Sequence, residues 1–139
     1  MINQISVSSK LIDTLYKAKE ILDNEYQEAL EWITDITENE NRPKFDECEI
    51  CNSNKKLEKH HIRGRKHGDE TITVCQECHK ILTNKQRLWD SSWLDPDSEN
   101  KDAFLIHGLI DVCELKYQRT GKEIFKVFSE KLTEGFRYV

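Results

Sequence analysis

The sequence predicts a mostly helical α+β fold, in which a metal-tied unit of two strands and a helix lies between an N-terminal helix and C-terminal helices. Three observations predict it. Four cysteines stand as two Cys-x-x-Cys pairs, two short β-patterned runs lie between the pairs, and apolar residues recur at helical spacing on both flanks. At 139 residues the chain fits a single domain spanning 1–139. With 37% hydrophobic and 34% charged residues its core is modest, and a bound metal would add to its stability.

Residues 8–37 read as an amphipathic helix. Leu11, Leu15, Ala18, Leu22, Ala29 and Ile33 recur at three- and four-residue steps with acids and lysines between them. Ser8 or Ser9 is placed to cap it, since a hydroxyl accepts from the free N–H groups of a first turn. Asn41-Arg42-Pro43 ends it, because the residue ahead of a proline disfavours the helical region. Residues 39–47 follow as a linker or turn.

The chemistry lies in residues 48–89. Cys48-x-x-Cys51 and Cys75-x-x-Cys78 are about 23 residues apart, the spacing of zinc ribbons and knuckles. Four thiolates suit a tetrahedral zinc ion, and a shell they fill leaves no open position, so this metal is expected to be structural. Its binding free energy becomes folding free energy, which a small core needs. Between the pairs, residues 57–62 and 71–74 read as short strands joined by a basic loop containing glycine. A helix is expected to begin at Cys78, with Ile81, Leu82 and Leu88 on its apolar side. After a turn-rich stretch from Asp90, helices are expected over about 101–119 and 122–133, broken at Thr120-Gly121; the C-terminal part spans 101–134. These helices complete the core or offer a homodimer surface.

Cys48/Cys51, Leu-Glu-x-His-His-Ile at 57–62 and Val-Cys-x-x-Cys-His at 74–79 together resemble the HNH endonuclease family, in its subgroup with two zinc-binding Cys-x-x-Cys pairs. The resemblance covers about 40 residues and neither flank. It implies an HNH or treble-clef-like ββα core and a metal-dependent endonuclease acting on phosphodiester bonds, in DNA before RNA. Successive strand residues point to opposite sides, so His60 and His61 take different tasks. The resemblance implies His60 and His79 as ligands of a catalytic divalent metal (Mg²⁺, Mn²⁺, Ni²⁺ or Zn²⁺). It implies His61 as the general base, a task that suits an imidazole, with its usual pKa of about 6.5. Arg63, Arg65 and Lys66 in the loop, with Lys80, Lys85 and Arg87 along the helix, would hold backbone phosphates. The chain departs from the family in carrying Glu70 where the central asparagine lies, about five positions before Cys75, and Thr83 where a further histidine would stand. Glu70 (or Asp69) as a carboxylate ligand and an inactive site both fit that departure.

Net charge is −5, yet between Asn54 and Leu88 nine Lys or Arg face four acids. The flanks are acidic. A basic centre within acidic wings fits a local phosphate-binding face, and equally a solvated surface. His61 reads either as the base or as a buried structural residue, His67 as solvent-facing, and His107 as a core histidine. Trp89 and Trp93 read as packing residues, and Cys113 as a buried, inert thiol. Besides the enzyme, the sequence admits a catalytically silent zinc module that binds nucleic acid, and a protein-interaction module whose acidic helices contact a partner. No apolar stretch approaches the roughly 20 residues of a membrane span, so no membrane partner is expected. Paired cysteines without a secretory leader point to the cytoplasm.

Overall fold

A computed structural model describes residues 2–89 and 103–136. Helix α1 runs over Ile2–Glu38. Ser8 and Ser9 therefore lie within the helix rather than capping it; no proline or glycine interrupts the preceding residues. The helix ends where Asn39 turns the chain: its N–H donates to the Asp35 carbonyl (3.1 Å) and its side-chain carbonyl accepts from the Asn41 N–H (3.0 Å). Only the C-terminal third of α1 meets the core, through Ala29, Trp32, Ile33 and Ile36.

Strand β1 (Leu57–His61) pairs antiparallel with β2 (Thr71–Cys75), with His60 opposite Ile72 and His61 opposite Thr71. Cross-strand partners share a face, so His60, Ile62, Ile72 and Val74 lie on one side of the hairpin and Lys59, His61, Thr71 and Thr73 on the other. Helix α2 (Gln76–Gln86) follows at once. Its first turn starts at Gln76, two residues before the expected position, because the Cys75 sulfur serves as N-cap and accepts from the Cys78 N–H. Cys78 and Leu82, one turn apart, face the core with Ile62, Ile72 and Val74.

Helices α3 (Ala103–Thr120) and α4 (Glu123–Phe136) form an antiparallel pair. The turn between them places Gly121 at φ 72°, a left-handed conformation that glycine adopts without a Cβ clash. Leu109, Val112 and Leu115 of α3 join the core of the hairpin and α2, while Phe125 and Phe128 of α4 close over Ala29 and Cys113. At Gly108 the α3 backbone comes so near the hairpin that a Cβ there would lie 2.0 Å from the Ile62 carbonyl oxygen. The arrangement is mostly helical α+β with the four-cysteine cluster beside the hairpin, as the sequence predicts. No helix among the described residues is long and apolar enough to cross a membrane. Trp93 and the turn-rich stretch 90–102 lie outside the described residues.

Candidate metal centre and the histidines beside it

The chain brings the four cysteines together from two tight turns. After Cys48, the backbone N–H groups of Ile50 and Cys51 both donate to the Cys48 sulfur (3.4 Å each), while Asn52 adopts a φ of 64° and donates from its N–H to the Cys48 carbonyl. The Cys78 N–H donates to the Cys75 sulfur (3.4 Å) in the first turn of α2. All four sulfurs lie within 4.8 Å of one another. A zinc tetrahedron with arms of about 2.3 Å has edges of roughly 3.8 Å, and the Cys51 and Cys75 sulfurs are 3.7 Å apart. Donor type, number and spacing thus fit one tetrahedral ion. Burial first, and then the neighbouring sulfurs, push the Cys78 thiol above its ordinary range. Burial also opposes ionisation of Cys48, but the N–H groups of Cys51, Cys75 and Ile50 outweigh it and its pKa falls. Packing four thiolates here calls for a compensating cation, the condition a dication meets.

His60 and His79 come together on the α2 side of the hairpin, their rings edge to face with centroids 5.4 Å apart. His60 is only 2% exposed. Burial, and secondarily His79 and His61, lower its pKa to about 3, so it is a neutral imidazole near neutrality. Its Nε2 lies 3.3 Å from the side-chain nitrogen of Gln86, which also donates to the His61 carbonyl (2.9 Å). His79 places Nδ1 2.5 Å from a Glu58 carboxylate oxygen. Glu58 sits two residues before His60 on the same strand face.

His61 turns the other way, into a cleft of about 930 Å³ shared with Lys59, Arg63 and Thr71 on the hairpin side and with Arg42 and the end of α1 opposite. Glu70 also lines this cleft, held by Arg63 at 2.9 Å. The structure therefore gathers His60 and His79 but turns Glu70 to Arg63. Among the described residues, the four cysteines are the only group of three or more clustered metal-ligating side chains.

The basic residues divide between faces. Arg65 and Lys66 are exposed in the hairpin loop, and Lys80 and Arg87 are exposed along α2, lining a groove with His79 and Glu58. Lys85 turns to Glu114 of α3 (3.3 Å). His67, although exposed, stacks flat on Phe104, with 4.2 Å between ring centroids. Trp89 packs near Phe104 and His107 and donates from Nε1 to Asp111 (3.0 Å). His107 packs beside Trp89, with Nδ1 3.7 Å from Asp111. Cys113 is fully buried, and burial pushes its thiol up to about 12, in keeping with an inert sulfur.

Several structural contributors carry no signal in the sequence. Arg42, in the expected linker, bonds to the Asp35 and Glu49 carboxylates and donates to the Thr71 carbonyl (2.8 Å). Glu49, inside the first Cys-x-x-Cys, also accepts from Trp32 Nε1 (3.1 Å) and the Thr73 N–H (2.6 Å). Together they bind α1, the cysteine turn and the hairpin into one frame. Lys116 of α3 donates to the Glu49 carbonyl (2.6 Å) and lies over the Trp32 ring, placing a cation beside the cysteine turn. Burial lowers its pKa to about 8. Gln86 and Glu58, which engage the two histidines, are equally silent; only the helical step from Leu82 to Gln86 hints at an inward position. No protein-family model matches the chain, and neither the curated proteins nor the solved structures yield a match.

Proposed function

We propose that the chain is a zinc-stabilised, HNH-like metal-dependent endonuclease that hydrolyses phosphodiester bonds in nucleic acid, DNA in the first instance. The observation that carries the reading is the ββα unit joined at its ends by four cysteines, with His60 and His79 side by side and His61 next along the strand. Zinc in the cysteine shell has a structural role, since four sulfurs leave no open position. His60 and His79 would hold the catalytic divalent cation. His79 suits it directly, since the Glu58 carboxylate on Nδ1 favours a proton there and leaves Nε2 as the donor atom. His60 is neutral, but the Gln86 amide nitrogen faces its Nε2 and would have to give way to the ion. Glu70 does not fit that set while it is paired with Arg63. When bound, such an ion would offset charge on the scissile phosphate and the leaving oxygen. His61 opens into the cleft on the opposite face of the hairpin, where Lys59 and Arg63 supply positive charge, so its role as base requires the scissile phosphate to reach around the strand from the metal pair to that cleft.

A second reading, a catalytically silent nucleic-acid-binding or protein-interaction module of the same fold, is favoured by one observation. The Arg63–Glu70 pair occupies the residue that stands in place of the family asparagine. Plasmid nicking with Mg²⁺, Mn²⁺ or Ni²⁺, beside His61→Ala, separates the two. Metal-dependent nicking abolished in the variant supports the enzyme; nicking that survives removes His61 as its base. A folded, zinc-loaded wild type that nicks with none of the ions leaves the silent module.

A further inference from the structure

Helix α1 is longer than the core it serves. Its core seam runs through Ile36, Trp32 and Ala29 and continues past Glu25 to Leu22, Ala18, Leu15 and Leu11, at alternating three- and four-residue steps. Leu11, Leu15 and Leu22 are 60%, 69% and 59% exposed, and Ile12, Ile21 and Tyr26 beside them are exposed too. Repetition at a mean of 3.5 residues is the pattern by which two helices pair along a seam. A continuous apolar stripe of this kind marks an interaction surface.

We infer that residues 9–24 of α1 pair, antiparallel, with the same segment of a second copy of this chain. Charge selects both the occupant and the direction. Lys10, Lys17 and Lys19 against Asp13 give residues 10–19 a net charge of +2, whereas Glu20 and Asp23 give residues 20–24 a net charge of −2, with Glu25, Glu28 and Glu31 following beyond the paired stretch. A helix so divided repels a parallel copy of itself and attracts an antiparallel one. The core gives a second reason. From Ala29 onward the seam is filled by the chain's own helices, so a parallel, in-register partner would drive one core into the other. In the antiparallel register, Leu11 meets Leu22 of the second copy and Leu15 meets its Ala18. Every paired layer is then apolar, and Glu25 falls beyond the last one. The paired stretch is about 24 Å long, and the two cysteine-bearing units stand at its opposite ends.

The test is sedimentation equilibrium of the full, zinc-loaded chain over a wide concentration range. The expected result is a species of twice 16.5 kDa, converted to monomer by Leu15→Lys with Leu22→Lys while zinc content and thermal unfolding of the monomer stay unchanged. A chain that remains monomeric throughout overturns the inference, and so does a dimer that survives the double substitution. Direction is read from spin labels on a cysteine replacing Lys10. The antiparallel pair separates them by about 20 Å along the axis, and labels found in contact would overturn it.

Discussion

Two single residues test how tightly the site is held. Gly108 lets α3 lie against the end of β1, where a methyl group would meet the Ile62 carbonyl oxygen at 2.0 Å. Neither backbone can give way without moving a helix or a strand. Gly108→Ala should therefore cost about 3 kcal/mol, the upper end of overpacking penalties, measured by denaturant unfolding. Gly135→Ala, with nothing within 4 Å of its added methyl, is the control and should be neutral or slightly stabilising. His60 supplies the second test. Its folded pKa is about 3, below the roughly 6.5 of an unfolded histidine. Between those values the unfolded chain binds a proton that the native chain refuses, so this contribution is full above the unfolded pKa and is lost as pH falls. The slope reaches about 1.4 kcal/mol per pH unit. In His60→Gln that slope should disappear, while acid loss from the cysteines is common to both proteins. Parallel stability–pH curves for the two between pH 6.5 and 5, roughly the upper part of that window, would show that His60 does not titrate as its burial implies.

Among the elements, the hairpin and α2 would depend most on a metal held by the four-cysteine cluster. The Cys48 turn, the end of β2 and the start of α2 meet at the four cysteines, where a shared ion would tie them together. Replacing any of Cys48, Cys51, Cys75 or Cys78 with serine should abolish stoichiometric zinc and unfold this unit, with loss of the near-ultraviolet signal of Trp32 and Trp89. Cys113→Ser should keep one zinc per chain; a loss of zinc there would show that the four-sulfur shell is wrong. These elements are also the most legible in the sequence, and the reason is physical. Paired cysteines at a fixed spacing, alternation in a strand and three- and four-residue steps in a helix are local patterns, visible without knowing what lies across the fold. Helix ends are less legible. Serines look like caps at 8 and 9, but a cap acts only where the helix stops, and nothing stops it there. The lock of Arg42 on Asp35 and Glu49, the Lys116 contact with the cysteine turn and the near approach at Gly108 are not legible at all. Each joins segments far apart in sequence, and such meetings leave no periodic trace. For the same reason the sequence names His60, His61, His79 and Glu70 but does not show that Glu70 pairs with Arg63, or that Glu58 and Gln86 hold the two inner histidines.

For the whole molecule, a net charge of −5 must be reconciled with the proposed nucleic-acid substrate. The acids lie largely elsewhere: along α1, and in the pairs of Asp35 and Glu49 with Arg42, Glu114 with Lys85 and Glu77 with Arg119. On the hairpin and α2 two exposed basic pairs remain, Arg65 and Lys66 in the loop beside Asp69, and Lys80 and Arg87 along α2 in a groove they share with Glu58 and Glu77. If nucleic acid runs past His79, the α2 pair holds its phosphates and Lys85, turned to Glu114, does not. Lys80→Ala with Arg87→Ala should then weaken binding of a DNA duplex and reduce the slope of log affinity against log salt by about 0.9 for each phosphate that is no longer neutralised. Lys85→Ala should change neither quantity. Arg65→Ala with Lys66→Ala tests the other face in the same titration, because a duplex that bridges loop and helix shows a shallower slope with both pairs, whereas one confined to the α2 groove shows it with the helix pair alone. An unchanged slope in all of these variants would mean that the basic centre is a solvated surface, and the nucleic-acid reading would fall with it.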